Sequence, residues 1–301
     1  MKRWIKFVGL GFTTLTGLAC LIIVAMLVLI LGNVVIHGGP RLSWEFVSGE
    51  PRAGMTEGGI FPAIFGTVAL VLLMTLAVVP LGVAAAIYLH EYARQGSQLV
   101  HLVRLALHNL AGVPAIVFGM FGLGFFIKFV GSGVDRAFFR GQLTFAQPCI
   151  LWAALTLAVL TLPTVVVATE EALRAVPRSY REAAYAAGAT RWQVVQHVVL
   201  PQSVAGILTG TILAVSRGAG EVAPIMFTGA AYYLPYLPKK LNDQFMELGY
   251  HIYVLTTQSP DVEATKPILY ATVLLLLALT FALNLVAILV RSSIRRKLRG
   301  A

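Results

Sequence analysis

Six long apolar runs punctuate this 301-residue chain, near Leu10–Leu31, Ile60–Leu89, Leu105–Val130, Pro148–Thr169, Ser203–Gly229 and Pro267–Val290. A helix needs about 20 apolar residues to cross a hydrocarbon core about 30 Å thick, and inside that core every backbone N–H and C=O must find its partner within the segment. The runs therefore predict an all-α integral membrane protein with six transmembrane helices. With 58% hydrophobic and 12% charged residues, a soluble globular domain is excluded. The first run follows Lys2, Arg3 and Lys6, as a signal peptide would, but it continues past Cys20 to Leu31 and is read as a span. Cys20 and Cys149 are the only cysteines, lie in separate runs without metal-ligand spacing, and read as membrane-packed thiols.

Charge sets the orientation, because cytoplasmic loops carry the excess of Lys and Arg. With both termini placed in the cytoplasm, the inner segments hold fourteen Lys and Arg against four Glu. The outer segments hold eight basic and eight acidic residues, which cancel. The whole formal net charge of +10 then lies on one side. That pattern argues for membrane topology rather than a nucleic-acid footprint, and the basic tail Arg291–Arg299 is expected to rest on anionic lipid headgroups.

One inner segment is polar and helix-forming although it is held between two spans. Pro177 suits a first helical position, Ser179 and Glu182 read as a capping box, and Gly188 can end the helix in a left-handed conformation. Thr190 and Gln193 then cap a second helix that runs toward Pro201. On the first helix Tyr180, Ala183, Ala184 and Ala187 are expected to form one small-residue face open to a partner. The bland alternative is a hairpin that merely lies on the membrane. A DNA-reading helix-turn-helix is excluded because both ends are tethered within a few residues of the bilayer.

The residues Glu182-Ala-Ala-x-x-x-Gly188, nine more residues, then Val198-x-Leu200-Pro201 resemble the cytoplasmic "EAA" loop of binding-protein-dependent ATP-binding-cassette import permeases, with Val198 where isoleucine is commoner. The resemblance implies that Glu182, Ala183, Ala184, Gly188, Val198, Leu200 and Pro201 form a coupling helix seated in a cleft of an ATPase partner. It also implies a type I importer permease fold, with residues 1–57 an N-terminal helix and external loop, and 58–301 the five-helix permease domain carrying the coupling loop at 170–202. The chain has no phosphate loop and no Gly-Lys dipeptide, so ATP and its Mg²⁺ are assigned to the partner, no cofactor to this chain, and no catalytic or metal site.

The fifth run carries Ser216-Arg217-Gly-Ala-Gly-Glu221 near its middle, where an arginine costs about 2.5–3.5 kcal/mol by insertion scales and so faces a partner or a wet path. Four residues apart, Arg217 and Glu221 can pair on one helical face, either as a structural ion pair or as part of an anion pathway. The guanidinium fork can take two oxygens of a tetrahedral oxyanion, with Glu221 as counter-ion when the path is empty. Phosphate near neutral pH keeps a proton to donate to a carboxylate and sulfate has none, so the pair favours phosphate.

The stretch Gly210–Gly229, together with Gly58–Thr67, Val79–Ala93 and Leu110–Gly119, resembles the phosphate transport permeases of the Pst system, and of its two related subunits the A-type one. That resemblance implies import of inorganic phosphate across the cytoplasmic (inner) membrane, and it assigns the pathway to Arg217, Glu221 and Ser216. It also implies a heterodimer with a homologous C-type permease, two cytoplasmic ATPase subunits and an external phosphate-binding protein. Import of molybdate, tungstate or sulfate is the rival reading, and a membrane scaffold or sensor for phosphate signalling is another. Of the remaining polar residues, His108, Asn109 and Asn284 are expected to make interhelical hydrogen bonds, and the loop 231–266 to hold an interfacial helix.

Overall fold

A computed structural model describes residues 2–52, 57–94, 96–259 and 261–299; the side chains of residues 2–8 and 297–299, and with them Lys2, Arg3, Lys6, Lys297 and Arg299 of the charge pattern, lie outside that description. Helix follows helix: α1 (Lys2–Gly38), α2 (Trp44–Ser48), α3 (Phe61–Ile87), α4 (Gln98–Ala111), α5 (Ala115–Phe121), α6 (Ser132–Phe138) and α7 (Ile150–Arg174), then α8 (Arg178–Ala186), α9 (Arg191–Val194), α10 (Leu200–Gly218), α11 (Ile225–Thr228), α12 (Leu248–Thr257) and α13 (Val262–Arg299). Two-residue strands, β1 (Pro51–Arg52) and β2 (Glu57–Gly58), pair antiparallel. Wide π-helical turns extend α3 through Tyr88–Tyr92, join α5 to α6 through Gly122–Gly131, and join α9 to α10 through Val195–Val199. Six helical segments are long and apolar enough to span: 9–41, 61–92, 115–138, 150–174, 191–218 and 262–296.

The count matches expectation, but several boundaries move, two of them because the chain breaks inside an expected run. The third span begins at Ala115 rather than Leu105, because Gly112 and Pro114 break the chain and leave α4 as a separate amphipathic helix. His108 and Asn109 therefore lie exposed on α4, and neither side chain makes a hydrogen bond among the described residues. The fifth span ends at Gly218 rather than Gly229, for reasons that belong to the site below.

At the centre stands α7, packed between α3 and α10 with Leu70, Met74, Leu157, Val165 and Ala214 buried among them. Lipid tails are as apolar as these side chains, so close backbone approach rather than apolar burial selects the partners. The close approach is visible where Gly206 and Gly210 of α10 lie against Ala172 and Ala168 of α7. By contrast α1 packs mainly on α13 and turns Leu10, Leu21, Leu29 and their neighbours outward, as a helix in lipid should.

One end of the bundle gathers the π turn after α3, α4, α8, α9 and the end of α13. The other gathers the β1–β2 hairpin and the loop before α12, where the Tyr233 hydroxyl donates to the Pro51 carbonyl at 3.0 Å. The interfacial helix expected within 231–266 is α12. Its cap, Glu247, is buried beneath α3, accepting from the N–H groups of Gly249 (2.8 Å) and Tyr250 (2.6 Å). Burial pushes its carboxyl up to about 7 despite those bonds. Beside it His251 is buried with neither ring nitrogen partnered, and burial pushes it down to about 4.

Candidate functional site

The break in the fifth span has a local cause. Past Gly218 the backbone tightens, with Gly220 N–H donating to the Arg217 carbonyl (3.2 Å) and Glu221 N–H to that of Gly218 (3.4 Å). Gly220 lowers helix propensity, and Pro224 has no N–H to continue the ladder and disfavours helix at Ala223. The chain becomes helical again only at α11, capped by Pro224. Arg217 thus lies in the last turn of α10 and Glu221 beyond it, so the pair does not share a helical face as expected. The turn still brings them together, Arg217 Nε to Glu221 Oε1 at 3.3 Å.

Neighbouring helices fix the depth. Because Gly210 meets Ala168 in an antiparallel pair, residue 217 stands beside about residue 161, the middle of α7. Gly218 abuts the Met74 thioether, at the centre of α3, and any side chain there would collide with it. Ser216 donates to Asn284 Oδ1 of α13 at 2.5 Å, which is the interhelical bond expected of Asn284. Irregular backbone and four polar side chains therefore meet half-way through the membrane. The arginine side chain is 38% exposed and the glutamate 22% on the surface of this single chain. Such a surface is tolerated at that depth only against protein or a water-filled path.

A second polar constellation lies at the α8 end. Pro177 is the cap of α8 rather than its first residue, and Ser179 falls inside the first turn, so the Ser179–Glu182 capping box is not formed. The box at Thr190 is formed, with Thr190 N–H donating to Gln193 Oε1 at 2.8 Å, and Gly188 adopts φ +84°. Beyond it the helix reaches Pro201 through the wide turn at Val195–Val199, which accommodates a ring that cannot join the regular ladder. Glu182, Ala183 and Gly188 are exposed, whereas Ala184, Val198, Leu200 and Pro201 are half-buried. Tyr180, Ala183, Ala184 and Ala187 accordingly do not form one open face: Ala184 turns inward beside Arg181.

Arg181 is what holds α8 down. Its guanidinium donates to the carbonyls of Val176 (2.7 Å) and Leu173 (2.8 Å) and to Glu91 Oε1 (3.0 Å), the carboxylate in the π turn ending the second span. Arg191 donates to the Glu91 carbonyl and lies over the Tyr92 ring, 5.0 Å from its centroid. Arg104 of α4 adds a bond to Glu170 Oε1 of α7 at 3.1 Å. Sequence reasoning treated Glu91, Glu170, Arg104 and Arg181 only as charges to be counted. The available signal was two carboxylates at the ends of otherwise uncharged runs, with arginines at the same end to receive them.

Residues 78–300 match the family described as the binding-protein-dependent transport system inner membrane component. The chain belongs to that family. This permease is 33% identical to the probable ABC transporter permease protein YqgI of Bacillus subtilis (strain 168), over 84% of this chain and 85% of that one. It is equally 33% identical to the probable phosphate transport system permease protein PstA of Methanocaldococcus jannaschii, over 84% and 83%, and 35% identical to PstA of Pasteurella multocida (strain Pm70), over 71% of each. Among solved structures, a chain of a bacterial ABC transporter involved in the import of alginate superposes with a TM-score of 0.66 at 16% identity, covering 97% of this chain and 99% of that one. An inward-facing MetNI methionine ABC transporter gives 0.58 at 17% identity, covering 77% and 94%. The expected type I importer permease fold is therefore the one found. The permease is a multi-pass protein of the cytoplasmic membrane and a transport subunit rather than an enzyme, and its family works with ATPase and substrate-binding partners.

Proposed function

We propose that this permease imports inorganic phosphate by alternating access, with Arg217, Glu221 and Ser216 on the anion's path. The observation that carries the reading is an arginine 38% exposed at mid-membrane depth, at the end of a helix broken where the backbone would otherwise continue. A lone chain leaves that surface bare, and a homologous C-type permease facing it across a water-filled path is the cover we assign. The names of the PstA relatives support phosphate as the substrate. The guanidinium takes two phosphate oxygens, and the phosphate's own proton bonds to Glu221, which repels an unprotonated sulfate.

Coupling is assigned to the other constellation. Glu182, Ala183 and Gly188 are the exposed surface for one of two cytoplasmic ATPase subunits, which bind and hydrolyse ATP with Mg²⁺; Ala184, Val198, Leu200 and Pro201 seat that surface on the bundle. The bonds from Arg181 and Arg191 to Glu91 would carry ATPase closure into the second span as well as into α7 and α10. Both termini are assigned to the cytoplasm and the β1–β2 and α12 end to the external phosphate-binding protein. We take residues 1–57 as the N-terminal helix and external loop and 58–301 as the permease domain.

The test is ATP-dependent uptake of labelled phosphate into vesicles holding the co-expressed complex, with sulfate and molybdate as competitors. Wild type should take up phosphate and ignore a large excess of sulfate, while Glu221→Gln should become sensitive to sulfate. Equal uptake of labelled sulfate or molybdate by wild type would overturn the phosphate assignment.

A further inference from the structure

We propose that the cleft between α8, α10 and the end of α13 is a binding site for the headgroup of an anionic phospholipid. The cleft encloses about 810 Å³ and is lined by Tyr180, Gln202, Arg291 and Arg295, with Pro201, Ala205 and Gly206. Arg291 and Arg295 stand one turn apart on α13, and so present two guanidinium forks on one side of the helix. Neither has a carboxylate within ion-pairing distance among the described residues, and no Asp or Glu lines the cleft. The other arginine-rich cleft, beneath α8, differs in this respect: Glu91 and Glu182 line it and the Arg181 charge is already matched. The Tyr180 hydroxyl and the Gln202 carboxamide add neutral donors from α8 and α10, so three elements converge on one unneutralised site.

The surroundings select a lipid over a free anion. Immediately before Arg291, α13 exposes Leu285, Val286, Ile288, Leu289 and Val290, each about half accessible, which is a surface for acyl chains. The arginines therefore stand where an apolar strip ends, at headgroup level. Basic clefts between spans on the cytoplasmic side suit phosphodiester headgroups for this reason. Small residues on the α10 wall, Ala205 and Gly206, leave room for the phosphate to enter. A zwitterionic headgroup would bring an ammonium group into a cleft without a carboxylate to receive it. The bound lipid would bridge the C-terminal helix to α8.

Native mass spectrometry of the co-expressed complex, purified and delipidated in detergent and titrated with phosphatidylglycerol or phosphatidylcholine, tests this. Wild type should retain phosphatidylglycerol in preference. The Arg291→Gln/Arg295→Gln variant should retain it about 25-fold less well, fivefold for each arginine at an anionic surface. Arg296→Gln, outside the cleft on the same helix, should leave retention unchanged. Ala205→Leu, which fills the cleft without removing charge, should lose the lipid, so a loss seen only on charge removal would refute a shaped site. Equal retention by the double variant, equal retention of phosphatidylcholine, or displacement of the lipid by inorganic phosphate would each overturn the proposal. Lipid retention is read without transport, so the result stands apart from the assignment of the phosphate path.

Discussion

Arg181 meets Glu91 at 3.0 Å and Arg217 meets Glu221 at 3.3 Å, yet the two pairs are built to opposite ends. The first joins residues 90 apart, is 14% and 9% exposed, and adds two backbone carbonyls to the carboxylate, so that three of its arginine's five N–H groups are bonded. The second joins residues four apart across a helix end, is 38% and 22% exposed, and leaves most of its guanidinium without a partner among the described residues. A guanidinium that is mostly out of solvent and bonded to three protein oxygens serves to hold two elements as one body. An arginine with open donors at mid-membrane is poised to exchange one oxygen partner for another. Structural and transport roles are thus separable by how completely each cation is satisfied.

The largest effect that would sharpen the contrast is expected at Arg181. Replacement by Met removes the charge, leaves the Glu91 carboxylate buried and uncompensated, and frees two carbonyls. Breaking a buried pair from one side costs about 3–5 kcal/mol, so Arg181→Met should lower the unfolding temperature of the purified complex sharply and release the ATPase subunits on gel filtration. Restoring charge balance with Glu91→Gln in the same chain should recover part of that loss. If Arg181→Met were as stable as wild type, the pair would be no anchor and the comparison would fail.

Glu247 extends the comparison to a buried carboxylate with no cation partner among the described residues. Its carboxyl is held at about 7 by burial, above the ordinary value of 4.5. A carboxyl raised in the folded state binds more protons folded than unfolded, so stability falls as pH rises from about 4.5 to about 7 and stays low above that. Glu247→Gln removes the ionisation, and should stabilise the complex by up to about 3 kcal/mol at pH 8 and by much less at pH 5. His251 works the other way: a ring held at about 4 loses stability for the fold as pH falls from about 6.5 toward 4. Thermal unfolding across pH 5–8 distinguishes the two, since a Glu247→Gln gain that did not grow with pH would mean that the cap bonds, not the burial, dominate.

How far these pairs could be seen in the sequence follows from range. Apolar runs are local, and all six spans, the Thr190 cap and the left-handed Gly188 could be read from them. Arg217 and Glu221 were visible because charges inside a span stand out. Hydropathy does not see a helix break, however, and Val222–Phe227 is apolar enough to hide the one after Gly218, which Gly220 and Pro224 alone signal. Pro114 likewise marked the true start of the third span, which Leu105 and Leu107 of amphipathic α4 obscured. The Glu91–Arg181 bond could not be read at all, since nothing within a few residues of either side chain names a partner 90 positions away.

The smallest expected change in stability belongs to the residue with the largest expected change in transport. The Arg217–Glu221 pair is local and more than a third exposed on the arginine side, and exposed pairs contribute about 0–1 kcal/mol, so Arg217→Ala should leave the unfolding temperature and ATPase association of the complex close to wild type. Phosphate uptake should nevertheless fall at least a hundredfold, because the cation that the break after α10 places at mid-membrane is gone and the anion would pass it unpaired. Arg217→Lys divides the roles further: a point charge keeps the path's potential but loses the planar fork, so uptake should be partly retained with weaker discrimination against sulfate. An Arg217→Ala complex that unfolded early and transported normally would invert the assignment, making this pair the structural one.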